Sequence, residues 1–181
     1  GYAQLQLAGM AGEMSDKQLG FQERILVNAQ HLLRLINEVL DLSKIEAGRL
    51  EIQQEPFDVR ACLDEVVMQN RVLAEDKHLA LHVNVDERLP ETIIGDQGRI
   101  KQVVINLLSN AIKFTDEGTV TLSASVHDKD NCRLVVEDTG IGIPSHQQEN
   151  IFDEFRQVEG NFERGGTGLG LAIVRKLVLM M

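Results

Sequence analysis

Residues 16–46 carry apolar side chains at a 3.5-residue period, and few folds accept such a run. Ile25, Leu32 and Val39 are spaced by sevens, as are Leu26, Leu33 and Leu40, while Ala29 and Ile36 fill the half-steps. A 3.5-residue period keeps one seam of a helix facing a partner helix over many turns. Ser15-Asp16 in front of the run supplies a helix start. The segment from Tyr2 to Ala8, ended by Gly9 and Gly12, reads as the tail of a preceding helix. Together these predict a helical hairpin whose first arm continues upstream of Gly1. Two hairpins from two chains complete a four-helix bundle, whereas one alone leaves its seam in water. A homodimer is therefore expected.

The periodicity changes after Ala47-Gly48 closes the long helix and Pro56 interrupts the next segment. Three stretches are expected: a partial hairpin over 1–48, a linker and first strand over 49–57, and a second domain over 58–181. Within that domain, residues 58–76 and 96–114 read as helices. His78 to Val85, Thr119 to Val126 and Cys132 to Glu137 read as strands by alternation, the last two separated by the turn-forming stretch 128–131. A polar, Gly-rich run from Asp138 to Gly166 precedes a helix from Leu169 to the end. The fold class is α+β: a helical hairpin, then a two-layer sandwich with helices on one face of a sheet.

The formal net charge of −10 argues against a nucleic-acid partner, which needs clustered Lys and Arg. Aromatics at 4% leave no stacking platform for bases. Cys62 and Cys132 have no metal-ligand spacing and are expected as two buried thiols in a reducing compartment. No run reaches the roughly 18–20 apolar residues of a membrane span, and nothing at Gly1 resembles a signal peptide, so a soluble piece is expected.

Three short segments carry chemistry. On the helix 96–114, Ile100, Val104, Leu107, Leu108 and Ala111 form the apolar stripe, and Asn106, Asn110 and Lys113 share another face. Two amides and an ammonium suit a metal and a phosphate; they suit a solvated helix face equally well. Asp138-Thr-Gly-Ile-Gly142 follows a strand in which Cys132, Leu134, Val136 and Asp138 lie on one side. A carboxylate emerging there suits the exocyclic amine of a purine, and the same residues also make an ordinary turn. Gly165-Gly-Thr-Gly-Leu-Gly170 leads into an apolar helix, where backbone amides receive phosphate. It matches neither the Walker spacing nor the Rossmann spacing. Between the last two segments, Phe152 and Phe155 are expected to anchor an otherwise mobile loop.

In order and spacing these segments resemble the N box, first glycine box, F box and second glycine box of sensor histidine kinases. The boxes are Asn106-Leu-Leu-Ser-Asn110-Ala-Ile-Lys113-Phe-Thr, Asp138-Thr-Gly-Ile-Gly142, Phe152-Asp-Glu-Phe155 and Gly166-Thr-Gly-Leu-Gly170. More broadly they are similar to the ATPase fold shared with gyrase, the ninety-kilodalton heat-shock chaperone and MutL. His31-Leu-Leu-Arg-Leu-Ile-Asn and Leu42-Ser-Lys-Ile-Glu-Ala-Gly48 look like the second bundle helix and its exit, so the resemblance covers nearly the whole chain.

The resemblance implies that ATP and Mg²⁺ are bound and that the γ-phosphate passes to a histidine, then to the receiver domain of a response regulator. It implies Asn110 as Mg²⁺ ligand with Asn106 helping, Lys113 on the phosphates, Phe114 flanking the nucleotide, and Asp138 on the adenine amine. Gly140 and Gly142 would give room for the base. Gly166, Thr167, Gly168, Leu169 and Gly170 would shape the lid hinge and receive phosphate, and Arg164, or Arg156, would add positive charge. In gyrase-like relatives the position of Asn106 holds a water-activating Glu; an amide cannot act as that base, which favours transfer over hydrolysis. The acceptor His run of the family is not present, so the acceptor is expected upstream of Gly1, and His31 lacks its neighbours. His78, His82, His127 and His146 are not spaced as metal ligands. Further C-terminal strands of the family are expected beyond Met181, and a cytoplasmic location is expected for the catalytic portion. An ATP-hydrolysing relative and a non-catalytic scaffold remain as alternative readings.

Overall fold

The computed structural model describes every residue except 1, 11, 13, 130 and 157–165. The chain falls into two compact units, Gly1–Arg49 and Leu50–Met181. No helix among the described residues is long and apolar enough to cross a membrane.

The first unit pairs α1 (Tyr2–Leu7) with α2 (Asp16–Glu46), joined by the Gln22 side-chain amide donating to Gln6 Oε1 at 2.7 Å. Ser15 starts α2 with a reciprocal cap. Its hydroxyl accepts from Gln18 N at 3.4 Å, and Gln18 Oε1 accepts from Ser15 N at 2.9 Å. At the other end Arg49 N–H reaches Lys44 O at 2.9 Å and Gly48 N–H reaches Ile45 O at 3.0 Å, so a Schellman closure stops the helix. The apolar seam read from the heptads is exposed: Ile25, Leu32, Leu33, Ile36, Val39 and Leu40 all face water.

The second unit is a sheet covered by helices. Strands β2 (Ala80–Val85), β4 (Thr119–Val126) and β5 (Cys132–Asp138) lie in the order β2-β4-β5, with β2 parallel and β5 antiparallel to β4. Alternation places Val120, Leu122 and Ala124 of β4 inward and buried, with Leu81, Val83 and Val85 beside them in register. Leu134 and Val136 of β5 extend this layer. Helices α3 (Val59–Asp76) and α4 (Gln97–Phe114) cover it through Cys62, Leu63, Val66, Val104, Leu108 and Ala111. The last helix, α5 (Gly170–Met180), buries Ala172, Ile173, Val174 and Leu177. A separate antiparallel pair, β1 (Glu55–Asp58) with β3 (Thr92–Gly95), brings Phe57 opposite Ile93.

Several details differ from the sequence reading. Thr92-Ile-Ile-Gly95 is a strand, β3, which four residues after Pro90 do not advertise by alternation alone. The strand expected from His78 begins at Ala80, because α3 ends through a Schellman closure: His78 N–H reaches Glu75 O at 2.9 Å and Leu79 N–H reaches Ala74 O at 2.9 Å. Cys132 is exposed, since it opens the outer strand of the sheet; only Cys62 is buried. Burial pushes the Cys62 thiol up, with Lys101 partly offsetting it, and this keeps the sulfur protonated and unreactive.

His78 sits in the left-handed region at φ 56° with its side chain exposed. A Cβ there costs about 1–2 kcal/mol that glycine does not incur, less the extra freedom glycine has when unfolded. His78→Gly is expected to raise the unfolding free energy by about 0.5–1 kcal/mol in urea titration. A loss of stability would mean that the imidazole makes contacts worth more than the strain.

Candidate functional site

The candidate site is built outward from α4. Asp96 caps this helix, its Oδ1 accepting from Arg99 N at 3.0 Å, while Oδ2 accepts from Gln53 N at 3.1 Å. Burial of Val103, Val104, Leu108, Ala111 and Ile112 fixes the rotation of α4 about its axis. The buried stripe is thus turned toward Val103 and Ile112 relative to the expected one, and Ile100 and Leu107 are only half-buried. That rotation leaves Asn106, Asn110 and Lys113 together on a half-buried face. Asn106 Nδ2 donates to Gly170 O at 3.4 Å, so the middle of α4 meets the first residue of α5. Lys113 Nζ lies 4.7 Å from the centroid of the Phe114 ring, within cation–π range. The same ammonium borders the glycine-rich run, for a Cβ on Gly166 would stand 2.8 Å from it.

The Asp138 segment is seated on the end of the same helix. Register places Asp138 opposite Val120, at the end of the inward-facing series of β5, and the residue is exposed there. Its Oδ1 accepts from Gly140 N at 2.9 Å, leaving Oδ2 without a partner among the described residues. Thr139 ties the segment to β4: its N–H and hydroxyl reach Thr119 O at 3.1 and 3.4 Å, and its Oγ1 accepts from Thr119 N at 2.9 Å. Ile141 N–H then donates to Phe114 O at 3.3 Å. Between them Gly140 lies so close to α4 that a Cβ would stand 2.4 Å from Phe114 O, so the backbone approach admits no side chain. Around Gly142 there is open space.

The third segment reaches α4 through α5. Thr167 Oγ1 accepts from Leu169 N at 3.0 Å, Leu169 is buried, and α5 begins at Gly170 with no side-chain cap on its first amides. Gly168, at φ 72°, comes so close to the backbone of Phe155 and Arg156 that a Cβ would lie 2.7–2.9 Å from their atoms. Contrary to expectation, the phenyl rings do not anchor this loop: Phe155 is 67% exposed and Phe152 36%. Among the described residues the loop is held by this backbone contact and by an ion pair at 2.7 Å between Lys176 on α5 and Glu154. Arg156 is exposed, and Arg164 and Gly165 lie outside the described residues. Asn106, Lys113, Phe114, Asp138, Gly140, Gly166 and Gly170 are thus all gathered around the C-terminal half of one helix.

Residues 95–181 match the family model described as histidine kinase-, DNA gyrase B-, and HSP90-like ATPase. The signal transduction histidine-protein kinase BarA of Escherichia coli strain K12 is 41% identical over 172 residues, covering 92% of this chain and 19% of BarA. The solved structure of a mycobacterial sensor histidine kinase, MprB, superposes with a TM-score of 0.58 at 32% identity, over 70% of this chain and 78% of that one. The chain belongs to the sensor histidine kinase family. Full-length ShkA in complex with AMPPNP gives a TM-score of 0.81 at 32% identity over 99% of this chain and 37% of that one. The chain spans between about a tenth and a fifth of the length of the curated relatives it matches, 19% for BarA and 11% for a hybrid histidine kinase of Dictyostelium discoideum.

For a histidine kinase ATP-binding domain, the boxes were readable as motifs, but some of what holds them was not. Lys77, at the end of α3, donates to three carbonyls at the end of α4, and no motif includes it. Asp96 as a cap had a signal in its position just before the periodic run. Its second role, receiving Gln53 N–H from 43 residues earlier, had none.

Proposed function

We propose that this chain is the ATP-binding catalytic core of a sensor histidine kinase, passing the γ-phosphate of ATP to a histidine for relay to a response-regulator aspartate. The observation that carries the reading is the meeting of the N box with both glycine boxes at the C-terminal half of α4. In this reading residues 1–48 form part of the dimerisation hairpin, 49–57 the linker and first strand, and 58–181 the catalytic domain. The exposed seam of α2 supports a homodimer.

The donor set fits the ligand. Asp138 keeps one carboxylate oxygen open for the adenine amine, and Gly140 N–H fixes the other. Asn110 and Asn106 offer amide oxygens on one helix face as ligands for Mg²⁺, which neutralises phosphate charge when bound. Lys113, held over the Phe114 ring and beside Gly166, adds a second positive charge. Amides at the start of α5 receive phosphate oxygens, and Thr167 keeps Leu169 N–H in place. Asn106 carries no titratable group, so it holds no proton from an attacking water, and transfer to a protein side chain is favoured over hydrolysis. Phosphoryl transfer has a loose transition state, and positioning plus charge compensation is what such a site must supply.

The test is calorimetric binding of a non-hydrolysable ATP analogue with and without Mg²⁺. Asp138→Ala removes a hydrogen bond to a charged acceptor worth about 1.5–3 kcal/mol, so affinity is expected to fall about 10- to 150-fold. Equal affinity in both proteins would remove Asp138 from the adenine site. A folded wild-type chain that does not bind the analogue would shift the reading to a scaffold.

A further inference from the structure

The C-terminal turn of α4 carries Lys113 and Phe114 and seats the Asp138–Ile141 segment, yet it has no glycine closure. Thr115 leaves the helix in an extended conformation, φ −102° and ψ 123°. Every carbonyl at such an end needs a donor from elsewhere. Ala111 O accepts from both the backbone N–H and the hydroxyl of Thr115. Ile112 O, Lys113 O and Thr115 O accept from the ammonium of Lys77, at 3.0, 2.8 and 3.0 Å. The one carbonyl that Lys77 passes over, Phe114 O, accepts from Ile141 N–H. An ammonium has three donors, so all three are committed to this helix end. The charge also suits the negative end of the helix dipole.

We infer that Lys77 is a positioning residue of the nucleotide site: acting from α3, it fixes the end of α4 so that Phe114 O, and with it the Asp138–Ile141 segment, is held in place. This rests on the nucleotide reading above. Lys77 belongs to none of the four boxes, and its only ionic neighbour among the described residues is Asp116, at 3.9 Å on the surface, where solvent screens the pair. Its part in the site is therefore carried by the three carbonyl bonds. Without them the last turn of α4 frays, and Phe114 O no longer offers Ile141 a fixed acceptor. The cation–π geometry of Lys113 is released at the same time.

Two readouts on the whole chain test the inference: affinity for the non-hydrolysable ATP analogue well below the melting temperature, and the backbone amide signals of Gly140 and Ile141 without nucleotide. In Lys77→Met, affinity is expected to fall about tenfold or more while the protein stays folded, because small misplacements of binding groups are costly. The Gly140 and Ile141 signals should move, and Ile141 should exchange its proton faster. Lys77→Arg, which keeps several donors on a long stem, should restore both. Lys77→Gln, with one amide donor, covers the case in which Met does not fold, and it too should bind more weakly. Wild-type affinity in the Met or Gln variant, or a lowered melting temperature with unchanged affinity, overturns the inference and leaves Lys77 a stabilising cap. If the wild-type chain binds no analogue, the nucleotide reading itself fails. The positioning claim is then judged on the Ile141 amide, and an unchanged signal in Lys77→Met overturns it.

Discussion

Gly140→Ala is expected to abolish measurable binding of an ATP analogue and to lower the melting temperature as well. The added methyl would stand 2.4 Å from Phe114 O and 2.9 Å from Phe114 C, both backbone atoms. A carbon and a carbonyl oxygen ordinarily keep about 3.3 Å apart, so one of the two segments must retreat by nearly 1 Å. The end of α4 cannot easily do so, since the carbonyls on either side of Phe114 O are bound to Lys77. The Asp138–Ile141 segment must move instead, and the Ile141 bond to Phe114 O, already 3.3 Å long, is the first to break. Overpacking of this kind costs about 1–3 kcal/mol of stability. For binding the effect is larger, because Asp138 Oδ1 is 2.8 Å from the same methyl and loses its set orientation. Calorimetry and a thermal melt of the variant check both parts. A variant that binds like the wild type would mean that the segment has room to shift, and that the seating on α4 is not what orders Asp138.

What could be read from the sequence followed from how local each signal is. The helix α2 was legible because its period, its Ser15 start and its glycine stop all lie within the element. The inner layer of β4 was legible because Val120, Leu122 and Ala124 alternate with Thr121, Ser123 and Ser125. The boxes were legible as segments, since their glycines and amides sit at short fixed spacings. Their meeting point was not, because it depends on the roll of α4, set by Val103 and Ile112 packing against elements distant in sequence. Lys77 gave no signal, since an exposed-looking lysine at a helix end reads as solvated, and its acceptors lie 35 to 38 residues further on. The phenyl anchors failed for a related reason: Gly168 and Glu154 hold that loop through backbone approach and charge, and neither depends on aromatic side chains.

Ile36→Glu should convert the expected dimer to monomer at any concentration where the wild type is mostly paired. Ile36 lies mid-helix on α2 at a half-step of the heptads, 47% exposed in the single chain, with Leu32, Leu33, Val39 and Leu40 exposed around it. Five large apolar side chains clustered on one helix are more than scattered surface residues, and a partner helix would cover them. In a twofold bundle every substitution occurs twice across the same interface. Placing an unpaired carboxylate in an apolar seam costs about 2–3 kcal/mol on each chain, so about 4–6 kcal/mol for the pair. That is roughly three to four orders of magnitude in the dimer dissociation constant. The helix itself should survive, because Glu is at least as good a helix former as Ile. Residues 50–181 have a separate core in α3, α4 and the sheet, so analogue affinity should not change. Sedimentation across a concentration series, with calorimetry on the same samples, separates the outcomes. A variant that dimerises as tightly as the wild type would place the interface elsewhere on the chain. Loss of analogue affinity together with the dimer would mean that the two units are energetically coupled, and that pairing of α2 conditions the nucleotide site.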